Sequence, residues 1–172
     1  YYNFAFEVTE NKFEHSGNFH NTRIGLIYPT AFFYILFGIN KYSSNLLPLV
    51  TSILSILLAF YLGKLLFNET TGLIASFLLS FYPVHVMYSS ILFPDLPSAF
   101  FASLGIFLFL KAEEKSPKIM YLLTGLSIGI AYLIKELSIV IFAVIALFVI
   151  YKRSYKKEHL LLVAGYFSIL LF

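Results

Sequence analysis

Asp95 is the only aspartate in this chain of 172 residues, and two prolines bracket it in Pro94-Asp95-Leu96-Pro97. Pro94 lacks an N–H and ends the apolar run before it, while Pro97 suits the first turn of the run after it. A carboxylate kept at the head of a membrane helix is costly and is a functional candidate by default, as a metal ligand, a base or a substrate anchor. Its structural alternative is a helix N-cap, a role aspartate fills well just ahead of Leu96. One residue can do both. The second charged constellation is Lys135-Glu136, in a short turn between apolar runs. Lysine there can hold a lipid phosphate with Glu136 orienting it; the alternative is a pair snorkelling at a helix end. Arg23 offers a guanidinium fork that matches phosphate, against an ordinary interfacial anchor. His20, just upstream, can join it, although a lone histidine is more often a surface residue than a ligand. His85 follows Pro83 and reads as a pocket residue or as a histidine packed between helices.

The elements that must position these residues are helices in a bilayer. Charged residues make up 12% of the chain and hydrophobic ones 59%, with a mean hydropathy of +0.83. A soluble domain carries about 25% charged residues. The formal charge of +3 does not imply nucleic acid, because most of the positive residues lie in short loops, where they report topology. With no cysteine there is neither a disulfide nor thiolate chemistry. The chain begins Tyr1-Tyr2-Asn3 and ends within an apolar run, so it is expected to be an internal fragment of a larger polytopic protein.

Residues 1–27 are polar and aromatic. Tyr2, Ala5, Phe6 and Thr9 have helical spacing, which predicts a short interfacial helix. Tyr28-Pro29 opens an apolar helix of about ten residues ending near Gly38, too short to cross ~30 Å of hydrocarbon and therefore re-entrant or interfacial. Residues 40–45 form a polar break. Spans are predicted over Leu46–Phe67, Gly72–Leu92 (interrupted by Pro83 and His85), Leu96–Leu110, Ile119–Ile134 and Leu137–Tyr151, with a truncated sixth over Leu160–Phe172. The fold class is an all-α polytopic membrane protein, with an outer loop at 1–45 and a transmembrane region at 46–172.

Alternating sides place Lys64, Lys111, Lys115, Lys118, Lys152, Arg153, Lys156 and Lys157 on one face and Lys12, Arg23, Lys41 and Lys135 on the other. Eight against four makes the first face cytoplasmic. The first loop, Asp95 and Lys135-Glu136 then share the outer face. The third to fifth spans have 15 or 16 apolar residues. They reach only about 24 Å, so their polar outer ends are expected to line a recess below the membrane surface, open to water and to a lipid headgroup. Gly125-Leu126-Ser127-Ile128-Gly129 permits close helix packing. Asn68-Glu69-Thr70 matches a glycosylation sequon but falls on the cytoplasmic face. No dinucleotide, Walker, zinc or Ser/His/Asp pattern is present.

The order of these features resembles the membrane glycosyltransferases of GT-C fold, of the dolichyl-phosphate-mannose protein mannosyltransferase and lipid A aminoarabinose transferase type. The matching pieces are Tyr1-Tyr2-x-x-Ala5, Arg23-x-x-x-x-Tyr28-Pro29, Phe37-Gly38, Pro94-Asp95-Leu96-Pro97, and Gly125-x-x-x-Gly129-x-Ala131-Tyr132-Leu133-x-Lys135-Glu136. The resemblance implies a GT-C-like helical bundle that moves a sugar from a polyprenyl- or dolichyl-phosphate carrier to a protein or lipid acceptor, with inversion, on the extracytoplasmic face. It implies an integral multi-pass protein surrounded by membrane lipids, with the cell membrane of a prokaryote as the expected setting. Asp95 would match the family's second acid, which in some members contacts a divalent metal. Arg23, Lys135, Glu136, His20 and Tyr28 would bind phosphate or substrate. The family's first-loop acid lies just upstream of the aromatic pair, outside this sequence, so the polypeptide is expected to lack the catalytic base. The alternative is a transporter or flippase fragment using Asp95 and Lys135-Glu136 as an ion or substrate site. Midplane charges on broken helices would favour it, whereas here the charges gather at one face.

Overall fold

The computed structural model describes residues 1–12, 22–115, 117–152 and 157–171. All regular structure among them is helical: α1 (Tyr2–Thr9), α2 (Ile24–Phe37), α3 (Lys41–Leu66), α4 (Glu69–Phe81), α5 (Pro83–Ser89), α6 (Asp95–Lys115), α7 (Lys118–Ile134), a 3₁₀ turn (Glu136–Ser138), α8 (Ile139–Tyr151) and α9 (His159–Leu170). The chain is an all-α membrane protein. The helices α3 and α6 are long and apolar enough to cross a bilayer. The pair α4 and α5, bent by 63°, makes a third candidate, and the remaining apolar helices have 10–17 residues. The hydropathy pattern predicts six crossings; these shorter helices fall below the ~20 residues that a straight crossing needs.

Several boundaries differ from the predicted ones for local reasons. The helix α3 starts at Lys41, inside the expected polar break, because Asn40 caps it. The Asn40 side chain accepts from the Tyr42 and Ser43 N–H groups, both at 2.9 Å, and Ser43 Oγ accepts back from Asn40 N at 3.2 Å. This reciprocal box satisfies N–H groups that would otherwise lack partners. With 26 residues, α3 is about 39 Å long. The helix α6 runs past Leu110 through Lys111 to Lys115, a stretch of strong helix formers, and its 21 residues reach about 31 Å. Leu96–Leu110 alone suggests a shorter span. The helix α2 begins at Ile24 rather than at Tyr28-Pro29 and tolerates Pro29 in its second turn. At Tyr82-Pro83 the chain breaks α4 from α5, with Pro83 opening the new helix, a position proline suits.

Close approaches at glycine hold the bundle together. A Cβ on Gly72 would run into the carbonyl of Phe60, and one on Gly63 would sit 2.7 Å from Gly72 Cα, so α3 and α4 pack backbone to backbone. The same happens between α7 and α9, where Gly125 faces the Leu162 carbonyl and Gly165 faces the Leu122 carbonyl. The helix α7 is the hub: Tyr121, Thr124, Gly125, Ile128, Ala131 and Ile134 are all buried. Phe109, Ile145, Leu162 and Tyr166 pack around it. At the end of the bundle remote from Asp95, Glu113 accepts from Tyr121 Oη at 2.7 Å and pairs with His159 Nε2 at 3.0 Å, tying α6, α7 and α9. A smaller cluster of Ala5, Ile27, Ala31 and Tyr34 docks α1 on α2.

Tyr2 fastens α1 to the rest of the bundle. Its hydroxyl donates to Asn45 Oδ1 at 3.0 Å and accepts from Leu92 N at 3.2 Å, so it joins α1, α3 and the turn ahead of Asp95. Tyr2→Phe leaves both partners without this hydroxyl. It is expected to cost about 1 kcal/mol, read as a lower thermal midpoint in detergent.

Candidate functional site

The turn at residues 90–94 delivers Asp95 to the start of α6. The Pro94 carbonyl accepts from Ser98 N at 3.0 Å, so the cap position falls to Pro94 and Asp95 stands inside the first turn. This corrects the N-cap placement, and the charge still complements the positive helix end. Pro94 and Pro97 are fully buried, which makes the turn stiff.

The other half of the site comes from the end of α7. Lys135 leaves the helix in an extended conformation, φ −152° and ψ 115°, and the 3₁₀ turn follows at once. That single extended residue throws the ammonium toward α6. Lys135 Nζ meets Asp95 Oδ1 at 2.5 Å, with side chains 30% and 37% exposed respectively. The two residues are 40 positions apart in the chain. One of three N–H donors on the ammonium goes to Asp95.

Thr22 and Arg23, just ahead of α2, carry further contacts around this pair. Thr22 Oγ1 donates to Glu136 Oε1 at 3.2 Å, joining the loop to the 3₁₀ turn. Arg23 is buried at 9% exposure and donates from Nη1 to Tyr1 Oη at 2.5 Å. Burial raises the Tyr1 phenol above its ordinary pKa. The Arg23 charge and hydrogen bond pull it down, and the Glu136 and Asp95 carboxylates add to the rise. Tyr1 therefore stays protonated at neutral pH, and the contacts Tyr1–Arg23, Thr22–Glu136 and Lys135–Asp95, made by neighbours in the chain, place these groups side by side.

Asp95, Lys135, Glu136 and Arg23 are thus brought together at one end of the bundle. Tyr28, five residues beyond Arg23 on α2, is 51% exposed. His20 lies outside the described residues. Tyr1, Tyr2 and Thr22 adjoin the site; the aromatic pair is visible in the sequence as part of the resemblance and of helix α1, whereas neither charge nor spacing singles out Thr22. The constellation does not fit a divalent metal on its own. The partner of Asp95 is an ammonium, and no three His, Asp or Glu side chains come together among the described residues.

Beside Asp95, α3, the α4–α5 bend and α6 line a partly open cavity of about 350 Å³. Leu58, Leu62, Leu79 and Leu96 make its wall apolar, and Asp95 and His85 also line it. The His85 ring is fixed by Ser52, Nε2 to Oγ 2.8 Å, so it is both a packed histidine and a cavity residue.

Asp95 thus belongs both to the ion pair and to the edge of the apolar cavity. No curated protein and no solved structure matches the chain. The family model for dolichyl-phosphate-mannose-protein mannosyltransferase matches residues 24–172, a stretch that holds Asp95, Lys135 and Glu136, and the chain therefore belongs to that family of membrane glycosyltransferases.

Proposed function

We propose that this chain carries part of the donor site of a glycosyltransferase that uses a polyprenyl- or dolichyl-phosphate sugar. The Asp95–Lys135 pair at the wall of the apolar cavity is the observation that supports the reading most directly. The cavity takes the first isoprene units of the carrier, and Lys135 and Arg23 hold its phosphate. In the reaction the bond from the anomeric carbon to the phosphate oxygen breaks, with the electron pair going to the phosphate. The acceptor hydroxyl oxygen forms the new bond and gives its proton to a base. Negative charge grows on the leaving phosphate and positive charge on the sugar ring. A lysine and an aspartate side by side match both ends of that polarising bond, and fixed charges of this kind stabilise a transition state more than a ground state. The acceptor is a protein or lipid hydroxyl, and the active face is extracytoplasmic, as the eight-against-four lysine and arginine asymmetry favours.

The test is transfer by the intact protein in vesicles, with a polyprenyl-phosphate sugar as donor. The expected result is a glycosylated acceptor with equimolar release of polyprenyl phosphate. Ion or lipid movement across the vesicle, with no transfer from any lipid-linked donor, would replace this reading with a transporter.

A further inference from the structure

We infer that Ser98 and Ser138 are a positioning pair that sets the distance between Asp95 and Lys135. Ser98 lies three residues after Asp95, on the same face of α6, and Ser138 lies three residues after Lys135, at the end of the 3₁₀ turn. Their hydroxyls meet at 2.7 Å across 40 positions of sequence, and the residues are only 4% and 8% exposed. The hydrogen bond therefore runs parallel to the ion pair, one turn deeper in the bundle.

The local chain explains why such a pin is needed. Lys135 is extended, so no helix continues through it to fix its direction. Two backbone bonds hold it, from its own N–H to the Ala131 carbonyl at 2.9 Å and from Ser138 N–H to its carbonyl at 2.9 Å. The Ser98 hydroxyl approaches that same Ala131 carbonyl at 3.4 Å. With Ser98 donating there, Ser138 donates to Ser98, and the three groups form one chain from α6 through the 3₁₀ turn to the end of α7. Lys135 is held at its amide, at its carbonyl and through Ser138, all referred to the first turn of α6. Asp95 and Lys135 then meet because the backbone delivers them, and their mutual attraction is not the only thing holding the geometry.

The pair touches neither donor nor acceptor. Its effect passes through Lys135, and only the kinetic part of its test rests on the transferase reading. The variants are Ser98→Ala, Ser138→Ala and the double replacement, made in the intact protein. Ser98→Ala orphans the buried Ser138 hydroxyl, Ser138→Ala leaves Ser98 donating to the Ala131 carbonyl, and the double change removes both hydroxyls, so the double variant is expected to be more stable than Ser98→Ala. The first readout is amine labelling of Lys135 by an acylating reagent, quantified by mass spectrometry, with Lys64 as the reference because its own pairing with Glu69 is untouched. Labelling of Lys135 is expected to rise about fivefold over Lys64 in all three variants, including the stable double one. The second readout is kinetic: kcat falls and donor KM moves little. A folded double variant with unchanged Lys135 labelling overturns the inference. If the wild type transfers no sugar but Lys135 labelling still rises, the positioning pair stands and the transferase reading fails.

Discussion

Asp95→Asn is expected to lower kcat by about 10²- to 10³-fold while donor KM falls, and Lys135→Ala to lower kcat by a similar factor while donor KM rises. The opposite movement of KM follows from the ion pair. Lys135 Nζ stands 2.5 Å from a carboxylate before any donor arrives. A donor phosphate must share that ammonium with Asp95. Asparagine keeps the size of the side chain and removes the competing charge, so the ground-state complex tightens. It also removes the negative group that faces the sugar as positive charge develops there, so the transition state loses more than the ground state gains. Lys135→Ala takes away the phosphate contact in both states and strands the Asp95 carboxylate. The pair then acts as a unit, and the double variant is expected to be less impaired than the product of the two single effects. Steady-state kinetics of the three variants with a polyprenyl-phosphate sugar check this. A donor KM that rises in Asp95→Asn would show that the carboxylate binds the donor instead of competing with its phosphate.

The meeting of Asp95 with Lys135 is legible in the sequence because membrane topology is a strong constraint. Helix ends alternate between two faces, so a charge at the start of one helix and a charge at the end of the next share a side. Helix α1 is likewise legible from the spacing of Tyr2, Ala5 and Phe6, and the break at Pro83 from proline's missing N–H. The start of α3 is harder to read, because Asn40 and Ser43 look like a polar loop until their reciprocal hydrogen bonds make them a cap. The partners of Tyr1, Tyr2, Thr22, Ser98 and Ser138 are invisible for a different reason. Tyrosine and serine are common in this chain, and their roles depend on partners between 22 and 114 positions away. Spacing offers one clue only: Ser98 and Ser138 each follow their charged residue by three positions. The metal expectation for Asp95 rests on the family and not on its neighbours, and the ammonium beside it is the wrong sign of partner.

Gly125→Ala and Gly165→Ala are expected to destabilise the protein most, by about 3 kcal/mol or more, while Gly129→Ala costs less, roughly 1 to 2 kcal/mol. The contrast comes from what each new methyl meets. At Gly125 it runs into the carbonyl of Leu162 and stands 2.7 Å from Tyr166 N; at Gly165 it stands 2.5 Å from the Leu122 carbonyl. These are backbone atoms in the middle of helices and cannot turn aside. At Gly129 the obstacle is the Ile169 side chain, with Cβ at 2.9 Å and both Cγ atoms at 3.2 Å, so the last turn of α9 must move by a few tenths of an ångström, less than a clash with a mid-helix backbone atom demands. In lipid, helix association depends on such close packing, because the surrounding hydrocarbon is as apolar as the helices themselves. Separation of α9 from α7 is therefore the expected failure. It also reaches the site, since the end of α7 carries Lys135. Because the chain has no cysteine, a single introduced cysteine pair across α7 and α9 can report their distance by crosslinking, alongside thermal unfolding in detergent. Crosslinking is expected to survive in Gly129→Ala and to be lost in Gly125→Ala. Alanine favours a helix over glycine by about 1 kcal/mol, so propensity works against any loss; equal losses at both positions would mean that the Ile169 contact at Gly129 yields no more than the backbone approach at Gly125.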